Sequence, residues 1–456
     1  MSRPSEHPSS SPVVQGRRPS EKTPSTAVEK TKTNMAVQPV REKGIVQKAV
    51  QYANQSWEKK SDNLVRTVGG MDRTMLFLTL LLIAAGSVMI LSASAPSALA
   101  EKGKSLHYFL RHMVFVAIGL AALYGISRLP LGFIEDVTPL AFLAATGLLI
   151  FVLIPTPFSL AQGAARRWLI FGSITVQPSE LMKAALILML ARYLGRHQQD
   201  MIPDTKRLSI FRNGWKSSVK YFFEFFLKST VVPGIFVVIA CGLVLAENHL
   251  SGTLIMGMIG FVVLFMGGVP WYLLFSCVGL VGGIAVSVFL STKDYAKERI
   301  ESFINKENVD LLDEGWQTAQ GQYAIGSGGL LGTGLGGSRQ KYSYVSEPQN
   351  DFIFTILCEE MGFVGAVVVI LLFILFLWRG VVIAMRAPTV FSSLAVLGVV
   401  AHVGIQAFLN IAVVTGSIPN TGISLPFFSY GGTSTVVLLA EMGVLLGVSR
   451  HSYIQK

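Results

Sequence analysis

Ten apolar segments, each long enough to cross a lipid bilayer as a helix, constrain the fold of this chain more than any other feature. They lie at residues 74–96, 108–127, 139–156, 177–195, 230–247, 252–269, 271–292, 352–378, 391–415 and 425–448. With 51% apolar and only 14% charged residues, the composition is not that of a soluble globular domain. The sequence therefore predicts an all-α, polytopic integral membrane protein with ten transmembrane helices.

The distribution of charge predicts how these helices are oriented. Residues 1–73 hold 13 Lys/Arg against 7 Asp/Glu, a net +6, and residues 192–228 hold 8 against 3, a net +5. Together they account for the formal charge of +11, and with ten helices both stretches fall on one face. Positively charged loops favour the cytoplasm. Both termini are therefore predicted to be cytoplasmic, and the large 293–350 loop between helices seven and eight to be extracytoplasmic.

The domain organisation follows from this topology. Residues 1–73 are predicted to form a disordered, basic cytoplasmic tail with a juxtamembrane segment, 74–450 the ten-helix membrane domain, and 451–456 a short cytoplasmic tail. The beginning of the chain holds no apolar core, which is not typical of a cleavable signal peptide. A basic tail is able to bind nucleic acid, but attraction to anionic lipid headgroups is the favoured interpretation beside a membrane domain, so no nucleic-acid partner is expected.

The three cysteines, Cys241, Cys277 and Cys358, lie in apolar segments without metal-ligand spacing. They are predicted to be small core residues, so the sequence indicates neither a zinc site nor redox chemistry. Polar residues gather instead at the predicted outer face, in four clusters.

The first cluster is AQGAARRWLIFGSITVQPSELMK, between predicted helices three and four. Glu180 and Lys183 are three residues apart and share a helix face, so an ion pair near the membrane surface is the simplest interpretation. Adjacent Arg166 and Arg167, beside Trp168, point to an anionic ligand, because guanidinium groups bind phosphate in bidentate fashion. Interfacial snorkelling with a Trp anchor explains the same three residues equally well.

The second cluster is the 293–350 loop. Its first part, KDYAKERIESFINK, has apolar residues at helical spacing and is predicted to lie on the membrane as an amphipathic helix. The stretch GSGGLLGTGLGG superficially resembles a nucleotide-binding loop, but it lacks a preceding strand and faces outward, so that interpretation is excluded. Backbone amides that bind an anion, a mobile lid and a merely flexible loop remain as alternatives.

The third cluster begins at Asp351, which precedes an apolar run that also contains Glu359 and Glu360. Asp is a favoured helix cap, and capping alone explains this position. A helix N-terminus also keeps a carboxylate ionised at the outer water interface, where it is able to act as a general base. On an ideal helix Glu359 lies about 80° and Glu360 about 180° from Asp351, so at least one Glu is expected to face polar partners inside the helix bundle.

The fourth cluster, NTGISLPFFSYGGTSTVVLLAEMG, places Pro426, Gly431 and Gly432 within an apolar segment. A broken helix is tolerated in a membrane where protein or a cavity surrounds it. Ser429 is among the hydroxyl residues expected to bond the freed backbone. Broken helices that line a cavity are typical of both transporters and enzymes.

Five separated motifs resemble those of the SEDS family (shape, elongation, division and sporulation). In chain order they are ARRWL, QPSELMK, SEPQNDFIF, CEEMGFVGA and LPFFSYGGTS. The resemblance covers about residues 72–450. Within the family, the ending GVLLGVSR and the long tail before the first helix are more similar to the FtsW branch than to the RodA branch.

This resemblance implies a multi-pass protein of the bacterial cytoplasmic membrane that polymerises lipid II into glycan strands at the outer face. It also implies a class B penicillin-binding transpeptidase and other divisome membrane proteins as partners. The essential Asp of the family falls on Asp351, and residues linked to activity fall on Arg166, Arg167, Trp168 and Lys183. Glu180, Glu347 and Ser429, from the same motifs, are taken with them as substrate-binding residues.

Two departures from the family pattern limit what is carried over. Many members have His-Thr before the motif Asp, where this chain has Gln349 and Asn350, so no histidine role is assigned there. The family often has Pro-Asp between helices five and six, where this chain has Asn248 and His249, and Glu247 is only a weak candidate.

The expected reaction is attack of a sugar 4-hydroxyl on an anomeric carbon while a lipid diphosphate leaves. Asp351 is predicted to accept the hydroxyl proton, which gives a β-linkage by inversion from an α-linked donor. Arg166, Arg167 or Lys183 is expected to stabilise the diphosphate, and a divalent cation, Mg²⁺ or Mn²⁺, is the candidate cofactor.

Other functions stay open at this stage. A lipid II flippase would need polar groups through the depth of the membrane, whereas the polar residues here gather at the outer face. A division scaffold would leave Asp351 no role beyond capping. Within the polymerase interpretation, a role in elongation is the alternative to septal synthesis.

Overall fold

Helices make up most of the part of the chain that the structure describes. The structure, a computed structural model, describes residues 64–66, 69–162, 165–172, 174–201, 203, 214–283, 316–451 and 453–455. Nearly all of the predicted basic tail and the whole predicted amphipathic helix at 293–306 lie outside the described residues.

The elements follow one another in a simple order. A short strand, β1 (Leu64–Arg66), precedes helices α1 (Arg73–Lys102), α2 (His107–Arg128) and α3 (Leu131–Leu153). A three-stranded antiparallel sheet follows, formed by β2 (Ser159–Gln162), β3 (Ala165–Phe171) and β4 (Ile174–Val176). The remaining elements are α4 (Pro178–Arg196), α5 (Trp215–Ala246), α6 (Leu250–Met266), α7 (Trp271–Cys277), α8 (Trp316–Ser327), α9 (Ile353–Met385), α10 (Val390–Val414), α11 (Gly432–Arg450) and β5 (Tyr453–Gln455), which pairs with β1.

Seven of the described helices are long and apolar enough to cross a membrane: α1, α2, α3, α5, α9, α10 and α11. Helices α4, α6 and α7 coincide with the other three predicted segments, but α6 and α7 are shorter. A mostly helical fold with several spans is thus confirmed, while ten spans and their sidedness stay predictions. The two small sheets were not predicted. In β3 the run Trp-Leu-Ile-Phe favours a strand, and Gly172 at φ +64° begins the turn to β4.

Helices α10 and α11 form the centre of the described bundle. In the most apolar 18-residue stretch of each of these two helices, 67% of the residues are buried. The corresponding fractions are 22% in α2 and 28% in α3. The outer helices expose large apolar side chains, for example Leu140 and Leu143 of α3, which are 66% and 68% exposed. This pattern is typical of helices whose outer faces contact lipid.

Helix α9 is interrupted at Gly362, which has φ +66° and ψ −168°. The half-helix before the interruption, 353–360, is buried at every residue. From Phe363 to Met385 the helix alternates buried and exposed residues, and these 23 residues (385 − 363 + 1) rise about 34 Å, enough for a bilayer core. The lipid-facing part of this helix therefore begins later than the predicted segment 352–378.

The Gly-rich segment Gly328–Gly337 supplies the hydrogen bonds that the interruption removes from α9. The amides of Phe363 and Val364 donate to the carbonyl oxygens of Gly329 (2.9 Å) and Leu330 (3.1 Å). In return, the amides of Thr333 and Gly334 donate to the carbonyl oxygens of Glu359 and Glu360, both at 2.9 Å. The segment is thus a structural partner of the broken helix and not a flexible loop.

Candidate active site

Asp351 lies half-buried in the turn before α9. The N-cap position of α9 is Phe352, and no side chain bonds the helix end there. The expectation that Asp351 caps this helix is therefore wrong, because the turn extends one residue further. The Asp351 carboxylate lies instead beside Gly422: a Cβ atom at Gly422 would be 2.9 Å from Oδ2 of Asp351. A glycine at position 422, with φ +63°, leaves room for the carboxylate.

Two amide side chains of α10 hold the chain around Asp351. Nδ2 of Asn410 donates to the carbonyl oxygens of Asp351 (2.7 Å) and Ile423 (2.5 Å). One turn earlier in the helix, Nε2 of Gln406 donates to the carbonyl oxygen (3.0 Å) and Oγ (2.9 Å) of Ser424. The extended segment after α10 is thereby fixed along the helix, next to the turn that carries Asp351.

Ser429 bonds backbone groups, as its place in a broken segment predicted. Its Oγ accepts from the amide of Leu425 (2.7 Å) and donates to the carbonyl oxygen of Asn350 (2.8 Å). The amide of Tyr430 donates to the carbonyl oxygen of Gln349 at 2.8 Å. These bonds join the turn before α9 to the segment before α11, and a direct contact of Ser429 with substrate stays a prediction.

Glu347 takes part in the same turn. It has φ +49°, its carbonyl oxygen accepts from the amide of Asn350 (2.9 Å), and its carboxylate accepts from the Asn350 side chain. The residue therefore shapes the chain immediately before Asp351. Its predicted role in substrate binding is not tested by these contacts.

Lys183 and Glu180 form the predicted ion pair, with 2.9 Å between Nζ and Oε2. Both residues are buried within the protein, at 3% and 9% exposed, and the pair lies at the start of α4. Nζ of Lys183 also donates to Oε1 of Gln406 at 3.1 Å. The same Gln406 oxygen accepts from Nε2 of His402 (2.9 Å), and Nδ1 of His402 is 2.8 Å from Oε2 of Glu441. A continuous polar network therefore runs from α4 through α10 to α11.

The Arg166–Arg167–Trp168 motif lies on β3, where a bulge interrupts the sheet. Trp168 is opposite Leu160 and Arg166 is opposite Ala161, so Arg167 is the extra residue of the bulge. Nη2 of Arg167 donates to the carbonyl oxygen of Asn248 in the turn between α5 and α6. All three side chains are half-buried. Arg167 is thus engaged with this turn, and the predicted binding of an anionic ligand by Arg166 and Arg167 stays a prediction.

The small sheet is anchored to α11. Oγ1 of Thr433 donates to the carbonyl oxygen of Thr175 at 3.0 Å and accepts from the amide of Gln177 at 3.2 Å. The motif arginines, the start of α4 and the start of α11 are thus at the same end of the bundle as Asp351.

Glu247 lies in the turn bonded by Arg167 and is only 1% exposed. Neither of its carboxylate oxygens has a hydrogen-bond partner among the described residues. Burial raises the pKa of Glu247 to about 8, although the nearby Arg167 opposes the shift. Glu247 is therefore uncharged near neutral pH, in contrast to the ionised carboxylate that a general base requires.

Asn410 and Gln406 are the site residues that the sequence reasoning missed. They lie eight and four residues after His402, so the three polar side chains share one face of α10. A spacing of four between polar residues in an apolar segment is the sequence signal for a polar helix face, and it predicts these two residues. They are buried, at 0% and 5% exposed.

The described residues contain no group of three or more His, Cys, Asp or Glu arranged to hold a metal ion. Asp351 offers one carboxylate, and the carboxylate of Glu180 is paired with Lys183. A divalent cation at this site would thus need most of its ligands from substrate phosphates and water, as is common for Mg²⁺.

The chain matches known proteins over most of its length. Stage V sporulation protein E of Bacillus subtilis (strain 168) is 37% identical over 384 residues, which are 84% of this chain and 97% of that protein. A protein of Coxiella burnetii named probable peptidoglycan glycosyltransferase FtsW is 33% identical and covers 83% of this chain and 96% of its own. Peptidoglycan glycosyltransferase MrdB of Escherichia coli (strain K12) is 31% identical over 84% of this chain and 94% of its own length.

Solved structures share the fold. RodA, the rod shape determining protein of Thermus thermophilus, superposes with a TM-score of 0.58 at 27% identity, covering 84% of this chain and 98% of that chain. A chain from a peptidoglycan synthase complex that coordinates polymerization and crosslinking superposes with a TM-score of 0.64, also at 27% identity. The match covers 83% of this chain and 98% of that chain.

A family model settles the assignment that the motifs indicated. The model for FtsW, RodA and SpoVE, described as "Cell cycle protein", matches residues 72–454. With a match over this range, and with relatives above 30% identity, the chain belongs to the FtsW/RodA/SpoVE family, the SEDS proteins.

Proposed function

We propose that this protein is a peptidoglycan glycosyltransferase that polymerises lipid II into glycan strands at the outer face of the bacterial cytoplasmic membrane. The observation that carries the proposal is the setting of Asp351. Its main chain is fixed by Asn410, and its half-buried carboxylate lies beside Gly422, where the missing side chain leaves room for it. Relatives named peptidoglycan glycosyltransferase support the same reaction class.

In the proposed reaction Asp351 is the general base. The 4-hydroxyl oxygen of the acceptor sugar forms a bond to the anomeric carbon of the donor, and its proton passes to the Asp351 carboxylate. The bond between the anomeric carbon and the diphosphate oxygen breaks, and the lipid diphosphate leaves with the bonding electrons. Attack from the opposite face converts an α-linked donor into a β-linked product.

The basic residues have different parts in this proposal. Arg166 is half-buried on the bulged strand, and a guanidinium at this place suits the leaving diphosphate. Lys183 is buried, with its ammonium bonded to Glu180 and Gln406. We therefore assign Lys183 to positioning: it orients Gln406, which holds the segment beside Asp351.

A large groove at the same end of the bundle suits the lipid chain of the substrate. Its volume is about 1020 Å³, and its lining combines apolar side chains with basic groups at the outer end. The lining includes Leu99, Leu110, Val114, Ile118, Lys104 and Arg111. Tyr108, on the same part of α2, contacts the ring of Tyr430 with 5.4 Å between centroids. Since Tyr430 bonds the turn before Asp351, the groove and the proposed base share one framework.

We also propose the septal role and a class B penicillin-binding transpeptidase as partner. The structurally similar chain from a complex that coordinates polymerization and crosslinking supports a crosslinking partner. The long tail before α1 and the ending GVLLGVSR support the FtsW branch, whereas the overall identities of 37%, 33% and 31% to the sporulation, FtsW and MrdB relatives do not separate the roles. Other divisome proteins are expected to bind as well.

One observation favours a lipid II flippase as the second candidate. His402, Gln406 and Asn410 extend over about 12 Å of α10 at a rise of about 1.5 Å per residue, and Glu441 continues the polar network in α11. Polar groups at successive depths are what a transport path requires. The cavity beside this network has a volume of only about 20 Å³, room for about one water, which favours chemistry over passage of a sugar.

The first prediction tests the assignment of Asp351. Asp351→Asn keeps the size and a side-chain carbonyl oxygen, but the amide cannot accept a proton as a carboxylate does, so we expect polymerisation to fall by about 100-fold or more. The measurement is glycan polymer formed from labelled lipid II by the purified protein with its transpeptidase partner. Asp136→Asn, at the other end of the bundle and with a side chain 74% exposed, is the matched control and should polymerise normally.

Two outcomes would contradict this proposal. Normal polymerisation by Asp351→Asn would show that the residue is not the base. If the unsubstituted protein forms no polymer but moves lipid II across vesicle membranes, the flippase is the better assignment.

A further inference from the structure

Glu359 and Glu360 are two buried carboxylates that the proposed reaction does not use. They are 2% and 1% exposed and lie at the C-terminal end of the half-helix 353–360. The helix dipole disfavours negative charge at this end, and burial disfavours it further. Their environment must therefore compensate the charge, and the contacts show how it does so.

The Glu359 carboxylate is bound by the chain that follows the Gly-rich segment. Oε1 accepts from the amide of Arg339 (2.8 Å), and Oε2 accepts from Oγ of Ser338 (2.5 Å) and from the amide of Gln340 (3.4 Å). The anion that these backbone amides bind is thus a side chain of the protein itself.

The Glu360 carboxylate joins three separate parts of the chain. Oε1 accepts from Nζ of Lys341 at 2.9 Å, and this pair is almost fully buried, with side chains 0% and 4% exposed. Oγ of Ser92, in α1, is 2.7 Å from both Glu360 oxygens and 3.2 Å from Nζ of Lys341. Glu360, Lys341 and Ser92 therefore tie α1, the chain after the Gly-rich segment and the half-helix of α9 together. We call these three residues the α9 clamp.

Asp351 lies between the two chain segments that the α9 clamp holds. From Glu360 the half-helix leads back to Asp351 over nine residues (360 − 351), about 13 Å along a helix. From Lys341 the chain leads forward to Asp351 over ten residues (351 − 341). A shift at the clamp would therefore be transmitted to the proposed base from both directions along the chain.

We propose that Glu360, Lys341 and Ser92 are positioning residues for Asp351: they fix the half-helix of α9 and thereby set the rate of glycosyl transfer without contacting the substrate. The proposal rests on the function proposed above. General-base catalysis is sensitive to placement, because a displacement of about 1 Å is able to cost about 100-fold in rate.

Ser92→Ala is the main test, because it removes one hydroxyl and leaves the buried Glu360–Lys341 pair intact. We expect kcat for lipid II polymerisation to fall by about 10- to 100-fold per folded molecule, with KM changed by less than about threefold. Ser92→Thr keeps the hydroxyl and should recover most of the rate. Glu360→Gln should lower kcat at least as far as Ser92→Ala.

A purely structural role would give a different result. It would lower the folded fraction and the melting temperature but leave kcat per folded molecule unchanged, so both quantities are measured in the same preparations. Arg196→Met removes the ion pairs with Glu135 and Asp136 at the opposite end of the bundle and is the control for loss of charged contacts. If Ser92→Ala and Ser92→Thr both keep kcat within about twofold of the unsubstituted protein, the positioning proposal is wrong.

The outcome also separates this proposal from the proposed function. If the unsubstituted protein does not polymerise lipid II, the function fails and the clamp proposal fails with it. If the unsubstituted protein polymerises and Asp351→Asn does not, while the Ser92 variants are unaffected, only the α9 clamp is refuted.

Discussion

At the scale of single residues, the buried carboxyl groups differ in whether a partner compensates their charge. Glu180 is paired with Lys183, whereas Glu247 is enclosed without a hydrogen-bond partner among the described residues. Burial raises the pKa of Glu247 from 4.5 to about 8 despite the nearby Arg167. Between these two pH values the folded protein holds a proton that the unfolded chain releases, so the free energy of unfolding falls as pH rises from about 4.5 to 8.

Glu247→Gln is predicted to remove this pH dependence. The amide cannot ionise, so its contribution to stability does not change with pH. The melting temperature of the variant minus that of the unsubstituted protein should therefore be larger at pH 8.5 than at pH 5.5, because the unsubstituted protein loses stability as the pH rises. Melting in detergent at the two pH values measures this difference. Glu224→Gln, on α5 with a side chain 58% exposed, is the control and should show no such trend. A melting difference for Glu247→Gln that is the same at both pH values would contradict the prediction.

The single-residue predictions succeeded where spacing along one helix was sufficient. The Glu180–Lys183 pair follows from three residues of separation and is present. The capping role of Asp351 does not follow, because the length of the turn before α9 depends on bonds from Ser429 and Asn410, which are distant in sequence. For the same reason the sequence did not indicate that Arg167 bonds the turn at Asn248.

At the scale of elements, the Gly-rich segment and the interruption of α9 form one unit. Gly332 has φ +78°, and a Cβ atom there would lie 2.1 Å from the carbonyl oxygen of Glu360. Two backbones approach each other this closely only where a side chain is absent. The glycines therefore allow the segment to pack closely against the broken helix. Lys341, which follows the segment, and Glu360, at the end of the half-helix, meet in the α9 clamp.

Gly332→Ala is predicted to damage this unit. The added methyl group must displace either the segment or the half-helix, so the melting temperature should fall and the polymerisation rate should fall with it. Gly336→Ala is a matched control: Gly336 also has a positive φ, +83°, but nothing lies within 4 Å of an added Cβ atom. The control should show only the cost of the left-handed backbone, about 1–2 kcal/mol. Equal effects of the two substitutions would argue against close packing at Gly332.

The elements were predictable where apolar length alone defines them. All ten apolar segments contain a helix in the described residues, because about 20 apolar residues have few other solutions in a membrane. The interruption at Gly362 was not predicted, since the sequence CEEMGFVGA reads as a continuous helix. The bonds that replace the lost helical ones come from the Gly-rich segment Gly328–Gly337, about 30 residues earlier in the chain.

At the scale of the whole molecule, polar contacts hold the described helices at two opposite ends. One end carries Asp351 and the contacts around it. At the other, Asp72 caps α1 by accepting from the amide of Met75 (2.8 Å) and pairs with Arg379 of α9. Its own amide donates to Oγ of Ser449 in α11 at 3.0 Å. Burial raises the pKa of Asp72, but the bonds from Arg379 and Met75 outweigh this and lower it overall, so the pair stays charged at neutral pH.

The remaining prediction concerns which of these ends faces the cytoplasm. The net +6 and +5 of residues 1–73 and 192–228 predict that the Asp72 end is inside and Asp351 outside, where lipid-linked sugars are polymerised in the proposed function. Lys104→Cys, in the exposed connection between α1 and α2, should react with a membrane-impermeant maleimide in intact cells. Asp136→Cys, at the start of α3, should react only after the membrane is permeabilised. The unsubstituted chain measures the background from Cys241, Cys277 and Cys358. Labelling of position 136 but not 104 in intact cells would put the proposed base on the cytoplasmic side, and an extracytoplasmic polymerase with Asp351 as its base would then be untenable.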